Sequence, residues 1–308
     1  GLAGAGAAPG AFPTHLAEFT SDFTGFEMLP GLDVLRVPLK WTSPEGVMVV
    51  KTYVFRRGSY RIDVEYEVTN ASGSPWSVAP YSQILHDMPP VKRSYFNVNS
   101  YAFTGPAIWD GTKYDKLDTG DSDDASLNRD ITGGWMAALQ HHFVTAISPG
   151  IAETDRYTLK ARGQEYLATV VGPTRTIAAG ETGQIGGTVF VGPKLQTQLE
   201  KIHPELSRAA DYGKLTFLAK PLFWLLQWAY NIFNHWGLAI IAVTFLLKLA
   251  FYPLSEASGK SMAKMKILAP RMKQIQETYK DDREKLGRAM MELYKAEKIN
   301  PASSCLPM

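Results

Sequence analysis

The chain has 308 residues, 45% of them hydrophobic, with a formal net charge of +2 and a single cysteine, Cys305. That length accommodates a sizeable domain with appendages. The near-neutral balance excludes a whole-chain field for nucleic acid, and one cysteine excludes an intrachain disulfide framework. The chain opens on GLAGAGAAPG and stops at Cys305-Leu306-Pro307-Met308, so it is expected to be a piece of a longer protein.

Residues from about Phe19 to Pro193 read as one antiparallel β domain, with its C-terminal short helix closing a unit over residues 1–205. Tyr60-Arg61-Ile62-Asp63-Val64-Glu65-Tyr66-Glu67-Val68 alternates strictly, which predicts a strand with Tyr60, Ile62, Val64, Tyr66 and Val68 on its buried face. Val47–Phe55 precedes it, and Arg56-Arg57-Gly58-Ser59 has the length and glycine of a hairpin connection. Further strands are expected over Leu35–Trp41, Tyr95–Phe103, Gly134–Ile147, Tyr157–Arg162, Tyr166–Val171 and Gly187–Val191. The acidic stretch Asp110–Asp130 reads as a long surface loop or exposed hairpin. Many short strands with turn chemistry between them predict a large antiparallel β-sandwich.

From Leu195 the pattern changes. Leu195–Ile202 reads as a short helix, and residues 211–234 as an amphipathic helix dense in aromatics, among them Phe217, Phe223, Trp224 and Trp228. Trp and Tyr gather at membrane interfaces, so this helix is expected to lie along the outer surface with Trp236 as a further anchor; a core helix of the β domain is the alternative. Residues 236–254 follow as the one stretch long and apolar enough to span a bilayer: about 18 residues at ~1.5 Å each give ~27 Å. It carries a single cation, Lys248, and Thr244 lies one turn earlier on the same face.

Residues 255–299 read as a helical hairpin, Ser255–Tyr279 and Arg283–Glu297, with an apolar seam at Met265, Leu268, Met272, Ile275 and Tyr279 facing Leu286, Met290 and Leu293. Asp281 with Glu284 resembles a capping box, and Pro270 is expected to kink the first helix or lie near its weakened turn. Residues 300–308 would begin a further membrane segment. Cations Lys260, Lys264, Lys266, Arg271 and Lys273 crowd the region after the apolar run, which places residues 255–299 on the cytoplasmic side and 1–234 outside.

For chemistry, the sequence contains no HExxH, no GxxxxGK[ST] and no GxSxG, so no enzyme, no metal and no cofactor is expected. His141 and His142 would point to opposite faces of a strand, and His86-Asp87 reads more simply as surface. Lys248 and Thr244 make a polar stripe that suits a watery cavity better than lipid, although a lysine can also snorkel to the interface. Met262, Met265 and Met291 suit adaptable apolar recognition, or fill the hairpin seam. Lys260, Lys264, Lys266 and Lys273 form a basic set for anionic headgroups, or a plain solvated face.

Asp211-Tyr212-Gly213, Lys220-Pro221-Leu222-Phe223, His235-Trp236-Gly237, Tyr252-Pro253-Leu254, Ser261-Met262-Ala263-Lys264-Met265, Met291-Glu292-Leu293-Tyr294-Lys295 and Asn300-Pro301 with Cys305 and Pro307 follow in one order. With Gly133-Gly134-Trp135, Gln140 and Val191-Gly192-Pro193 in the β domain, this resembles the YidC-type bacterial membrane protein insertases in their gram-negative form with a large periplasmic domain. The resemblance covers essentially the whole chain and is most specific from Asp211 onward. It implies a mutarotase-like supersandwich without catalytic activity, an inner-membrane location and a groove in which Lys248 stands where the family usually has arginine. It also implies nascent membrane proteins, Sec translocon subunits, ribosome or targeting factors and membrane lipids as partners, with no direct nucleic-acid binding. Lysine keeps the charge but lacks the planar bidentate fork. The alternative function is a membrane-anchored carbohydrate-binding or sugar-epimerising β domain.

Overall fold

The computed structural model describes residues 1–4, 10–88, 103–210, 216–280 and 283–296. The chain divides into two compact units, residues 1–211 and 212–308. The first is a two-sheet antiparallel sandwich. Its strands are β1 (Leu2–Ala3), β2 (Val34–Thr42), β3 (Val47–Arg56), β4 (Arg61–Asn70), β5 (Trp76–Asp87), β6 (Gly105–Trp109) and β7 (Tyr114–Lys116). After the one-turn helix α1 (Ser122–Ala125) come β8 (Asn128–Thr132), β9 (Trp135–Leu139), β10 (Phe143–Ser148), β11 (Thr154–Arg162), β12 (Glu165–Val171), β13 (Arg175–Ile177) and β14 (Thr182–Pro193). The larger sheet has the order β2-β3-β4-β14-β10-β9-β6-β7. The smaller runs β1-β5-β12-β11-β8, with β13 also on β5.

Two apolar clusters fill the space between the sheets. Val47, Val49, Tyr66 and Val68 of the larger sheet meet Leu2, Val78 and Ile177 at one end. Ile108, Met136 and Ile147 meet Ile84, Tyr157, Leu159 and Tyr166 at the other. The larger sheet is also covered on its opposite face. Trp109, Trp135, Leu139, Val144 and Phe190 lie under Leu199 of helix α2 (Gln196–Leu199) and Leu206 and Ala209 of the following 3-10 turn. Burial on both faces is why β6 and β9, GPAIW and WMAAL, carry apolar residues without alternation.

His203 fastens that cover. It is 4% exposed; its Nε2–H donates to the Gly133 carbonyl at 3.1 Å while Nδ1 accepts the Glu205 N–H at 3.1 Å. Both ring nitrogens are thereby committed to the neutral form. Burial lowers the His203 pKa, and the Gly133 carbonyl and the Glu205 charge only partly oppose this.

The structure departs from the sequence expectations at definite places. The reach over Gly134–Ile147 is two strands, β9 and β10, folded at residues 140–142. His141 and His142 therefore sit in a turn, with ring centroids 4.0 Å apart, rather than on opposite strand faces. β5, β6 and β13 lie outside every expected strand. Asp110–Asp130 contains β7, α1 and the start of β8 rather than a plain loop. Tyr60 precedes β4 and is 43% exposed, leaning on Phe190, while the buried face begins in earnest at Tyr66. The helix expected over Leu195–Ile202 is a single turn. Of the strand expected over Tyr95–Phe103, only Phe103 is among the described residues.

Protons bind the unfolded chain at His203 more readily than the native one, so His203 makes stability fall as pH drops through its ordinary value near 6.5. His203→Ala orphans the Gly133 carbonyl and the Glu205 N–H and is expected to cost about 1–3 kcal/mol at pH 8. Urea melts of both proteins at pH 8 and pH 5 should show the gap narrowing at the lower pH; a gap that widens there contradicts the neutral clamp.

Candidate functional site

The second unit consists of helices α3 (Thr216–Phe233), α4 (Trp236–Ala250), α5 (Tyr252–Thr278) and α6 (Arg283–Ala296). Asn234 takes a left-handed conformation, φ 49°, which stops α3 and turns the chain. His235 then caps α4, its Nδ1 accepting the Leu238 N–H at 3.4 Å. Where α3 and α4 meet, the buried residues are small: Ala229, Ala239 and Val243, flanked by Leu225, Leu226, Tyr230 and Leu247. Trp236 stacks on Tyr230 with centroids 4.2 Å apart.

The large apolar side chains face the other way. On α4, Leu238, Ile240, Ile241, Phe245, Leu246 and Leu249 are all exposed. On α3, at ~100° per residue, Phe217, Trp224 and Trp228 fall within about 40° of one another, beside a polar strip of Lys220, Gln227 and Asn231. Phe223 lies outside that stripe, and Trp236 belongs to α4. The aromatic set is thus one stripe of three with two members elsewhere.

Lys248 and Thr244 share a face of α4, roughly 100–140° around from the contact with α3. Both are exposed, and Lys248 has no ion-pair partner among the described residues. Ile241 and Phe245 flank them. The arrangement offers one ammonium and one hydroxyl on an otherwise apolar helix.

The long helix expected over 236–254 is broken. α4 ends at Ala250, Phe251 adopts φ −92° and ψ 4°, and α5 starts at Tyr252 with Pro253 in its first turn. Proline has no N–H for an α4 bond, and its ring crowds the carbonyl four residues back, which weakens the helix at this point and favours the break found at Phe251. Among the described residues no single helix is long and apolar enough to cross a membrane. Trp236–Ala250 and Tyr252–Lys260, bent by 59°, meet that length and composition only together.

α5 and α6 pack against each other. Leu268 is buried, and Met265, Met272, Ile275 and Tyr279 are half-buried, opposite half-buried Leu286, Met290 and Leu293. Met265 belongs to this seam, whereas Met262 and Met291 are exposed. α5 continues through Pro270. Asp281 of the expected cap, and the side chain of Lys264, lie outside the described residues. Lys260 pairs with Glu256 at 2.7 Å. Lys266 and Lys273 are exposed about 120–140° around α5 from Lys260, so these cations occupy two flanks rather than one face. Sequence reasoning missed the alanine contact, whose signal was Ala229 and Ala239 amid leucines, and the break, whose signal was Pro253.

The fold class is a large antiparallel β-sandwich followed by several helices, one strongly apolar with a lone cation. Residues 1–225 match the family described as YidC periplasmic domain, and residues 228–308 match the 60Kd inner membrane protein family. The chain belongs to the YidC family. A protein named membrane protein insertase YidC from Thioalkalivibrio sulfidiphilus is 44% identical over 312 residues, covering 100% of this chain and 55% of that protein. One of the same name from Nitrosococcus oceani is 41% identical, covering 98% and 55%. The chain thus spans about half the length of these curated relatives, 55%. Among solved structures, an alpha-galactosidase from Geobacillus stearothermophilus matches 58% of this chain and 27% of its own, with 8% identity and a TM-score of 0.40. A galactose mutarotase related enzyme from Lactobacillus acidophilus matches 57% and 71%, with 11% identity and a TM-score of 0.34.

Ala239→Leu is expected to overfill the α3–α4 contact at a cost of about 1–3 kcal/mol. Thermal unfolding of the helical signal in micelles, with Trp236 fluorescence as reporter of its stacking, should show both disturbed, while Ala239→Ser leaves them near the parent values.

Proposed function

We propose that this chain is the periplasmic sandwich, interfacial helix, one membrane-crossing segment and cytoplasmic hairpin of a membrane protein insertase of the bacterial inner membrane. The observation that carries the reading is the inverted burial of α3 and α4. Ala229, Ala239 and Val243 are inside the contact while leucine, isoleucine, phenylalanine and tryptophan point out. In water that arrangement would leave a large apolar surface wet. Between lipid chains it is favourable, because small residues let helices approach and large ones meet hydrocarbon. The insertase name of the 44% identical relative supports the same assignment.

In this reading α4 with the first turns of α5 crosses the bilayer as a bent span. The stripe Phe217, Trp224 and Trp228 rests at the outer interface, aromatic rings toward acyl chains and Lys220, Gln227 and Asn231 toward headgroups. The sandwich, residues 1–205, with residues 211–234 lies on the periplasmic side, and residues 255–299 on the cytoplasmic side. Lys266 and Lys273, together on one flank of α5, there meet anionic headgroups.

The mechanism makes and breaks no covalent bond. A charged ammonium in a low-dielectric surrounding attracts an acidic side chain far more strongly than in water. Lys248 therefore draws an acidic residue of a nascent membrane protein into a polar groove, and Thr244 offers it a hydrogen bond. The substrate's apolar segment then leaves sideways into lipid, driven by removal of its surface from water. Exposed Met262 and Met291 supply adaptable apolar contacts to arriving chains or their delivering factors, including ribosome and targeting factors, and the sandwich docks Sec translocon subunits.

In the full-length protein, Lys248→Ala is expected to slow insertion of an acidic-tailed substrate by about tenfold, the scale of one lost charged contact of ~1.4 kcal/mol. Lys248→Arg should preserve the rate, measured by protease protection of the translocated tail. Unimpaired insertion by the alanine variant removes Lys248 from the mechanism.

A further inference from the structure

The sandwich contains a cavity of about 290 Å³ between its two sheets, close to the ~300 Å³ at which small-molecule sites begin. One wall is built from β3, β4, β14 and β10, the other from β5, β11 and β12. Every one of these strands is hydrogen-bonded to neighbours on both sides. No backbone edge is therefore on offer for an added strand, and a ligand must be recognised by side chains.

The side chains that supply this recognition are Lys51, Tyr53, Tyr66, Ser82, Thr145 and Asp155. Asp155 is 3% exposed, and its Oδ2 has no hydrogen-bond partner among the described residues. Neighbouring Glu153 is already paired with Arg175 at 2.7 Å. Lys51 Nζ sits 4.7 Å from the Tyr53 ring centroid and 5.8 Å from that of Tyr66. A cationic ligand would meet Lys51 and an anionic one would meet Asp155. A neutral molecule with several hydroxyls offends neither: it donates to Asp155, accepts from Lys51 and the wall hydroxyls, and lays its C–H faces on the tyrosine rings.

We propose that this cavity binds a neutral polyhydroxylated small molecule, a sugar or polyol of about one ring, through Asp155, Lys51 and the Tyr53–Tyr66 wall. Burial, with the Glu153 charge adding, pushes the Asp155 carboxyl up to about 6 from the ordinary 3.8. Above that pH the native state holds a buried charge that the unfolded chain carries in water, so the residue works against stability. An unpartnered buried carboxylate oxygen at a cavity wall is a candidate ligand-binding group.

Gly187 of β14 lines the cavity, and a Cβ there meets nothing within 4 Å. Gly187→Leu therefore occupies the ligand's space without straining the sheet. The test uses the full chain in a zwitterionic detergent free of sugar headgroups, with saturation-transfer NMR and calorimetry at pH 7.5. The probes are glucose, galactose, maltose and glycerol, against charged glucosamine and glucuronate and an unstructured peptide. At least one neutral probe should bind, and Gly187→Leu and Asp155→Asn should each weaken it about tenfold or more, ~1.4 kcal/mol. Asp155→Asn should also melt higher than the parent at pH 8 and lose that advantage below pH 4, showing that the lost binding is not lost folding. The proposal is overturned if no neutral probe binds, if Gly187→Leu binds as the parent does, or if a charged probe or the peptide binds more tightly.

Discussion

The contact on which the rest of the sandwich depends is the burial of Trp109 and Trp135 beneath residues 196–209. A strand buried on one face can be specified by alternation alone. β6, β9 and β10 are buried on both, so the larger sheet is complete only when the chain returns after β14 to cover it. The last stretch of the unit is thus part of its core. Arg208, with its guanidinium carbon 5.0 Å from the Trp109 ring centroid, and His203 on the Gly133 carbonyl hold that cover at two points. Gly134 lets β9 begin close against β6: a Cβ there would lie 2.7 Å from the Trp109 carbonyl oxygen.

The two units solve opposite problems with the same residue types. In the sandwich, tyrosine and tryptophan are among the most deeply buried side chains, and Tyr157 and Tyr166 keep hydroxyls in the interior. In the helices, tryptophan is exposed and alanine is buried. A single hydrophobicity rule cannot describe both. The inversion is confined to α3 and α4 and follows if the sandwich is surrounded by water and these two helices by hydrocarbon, because what must be hidden is whatever the surroundings do not solvate.

The sequence was legible where one period governed a segment. β3, β4 and β12 alternate and were expected to within two residues at either end, β11 starts three residues before its expected Tyr157, and the seam of α5 repeats at three and four. It was illegible where a second contact overrode the period. β5 carries Pro80 and polar Ser77, Ser82 and Gln83 through a twelve-residue strand, and gave no alternating signal. β6 is short and apolar throughout, a pattern that helix and strand share. In the second unit, Lys248 and Thr244 stood out as polar residues in an apolar run. The pairing of Ala229 with Ala239 did not, because alanine is common in helices for reasons unrelated to contact. Pro253 was visible, yet its consequence depended on whether the chain ended a helix there or bent and began another.

That bend has a mechanical meaning. Phe251 is a single-residue joint between α4 and a 27-residue helix, which at ~1.5 Å per residue is an arm about 40 Å long. A rotation of about 10° at Phe251 would carry the far end of that arm roughly 7 Å. The joint therefore converts a small torsional change at one backbone position into a sweep of a side chain's length or more at Ile275 and Tyr279. A proline at the root of the long helix sets the gearing of everything beyond it.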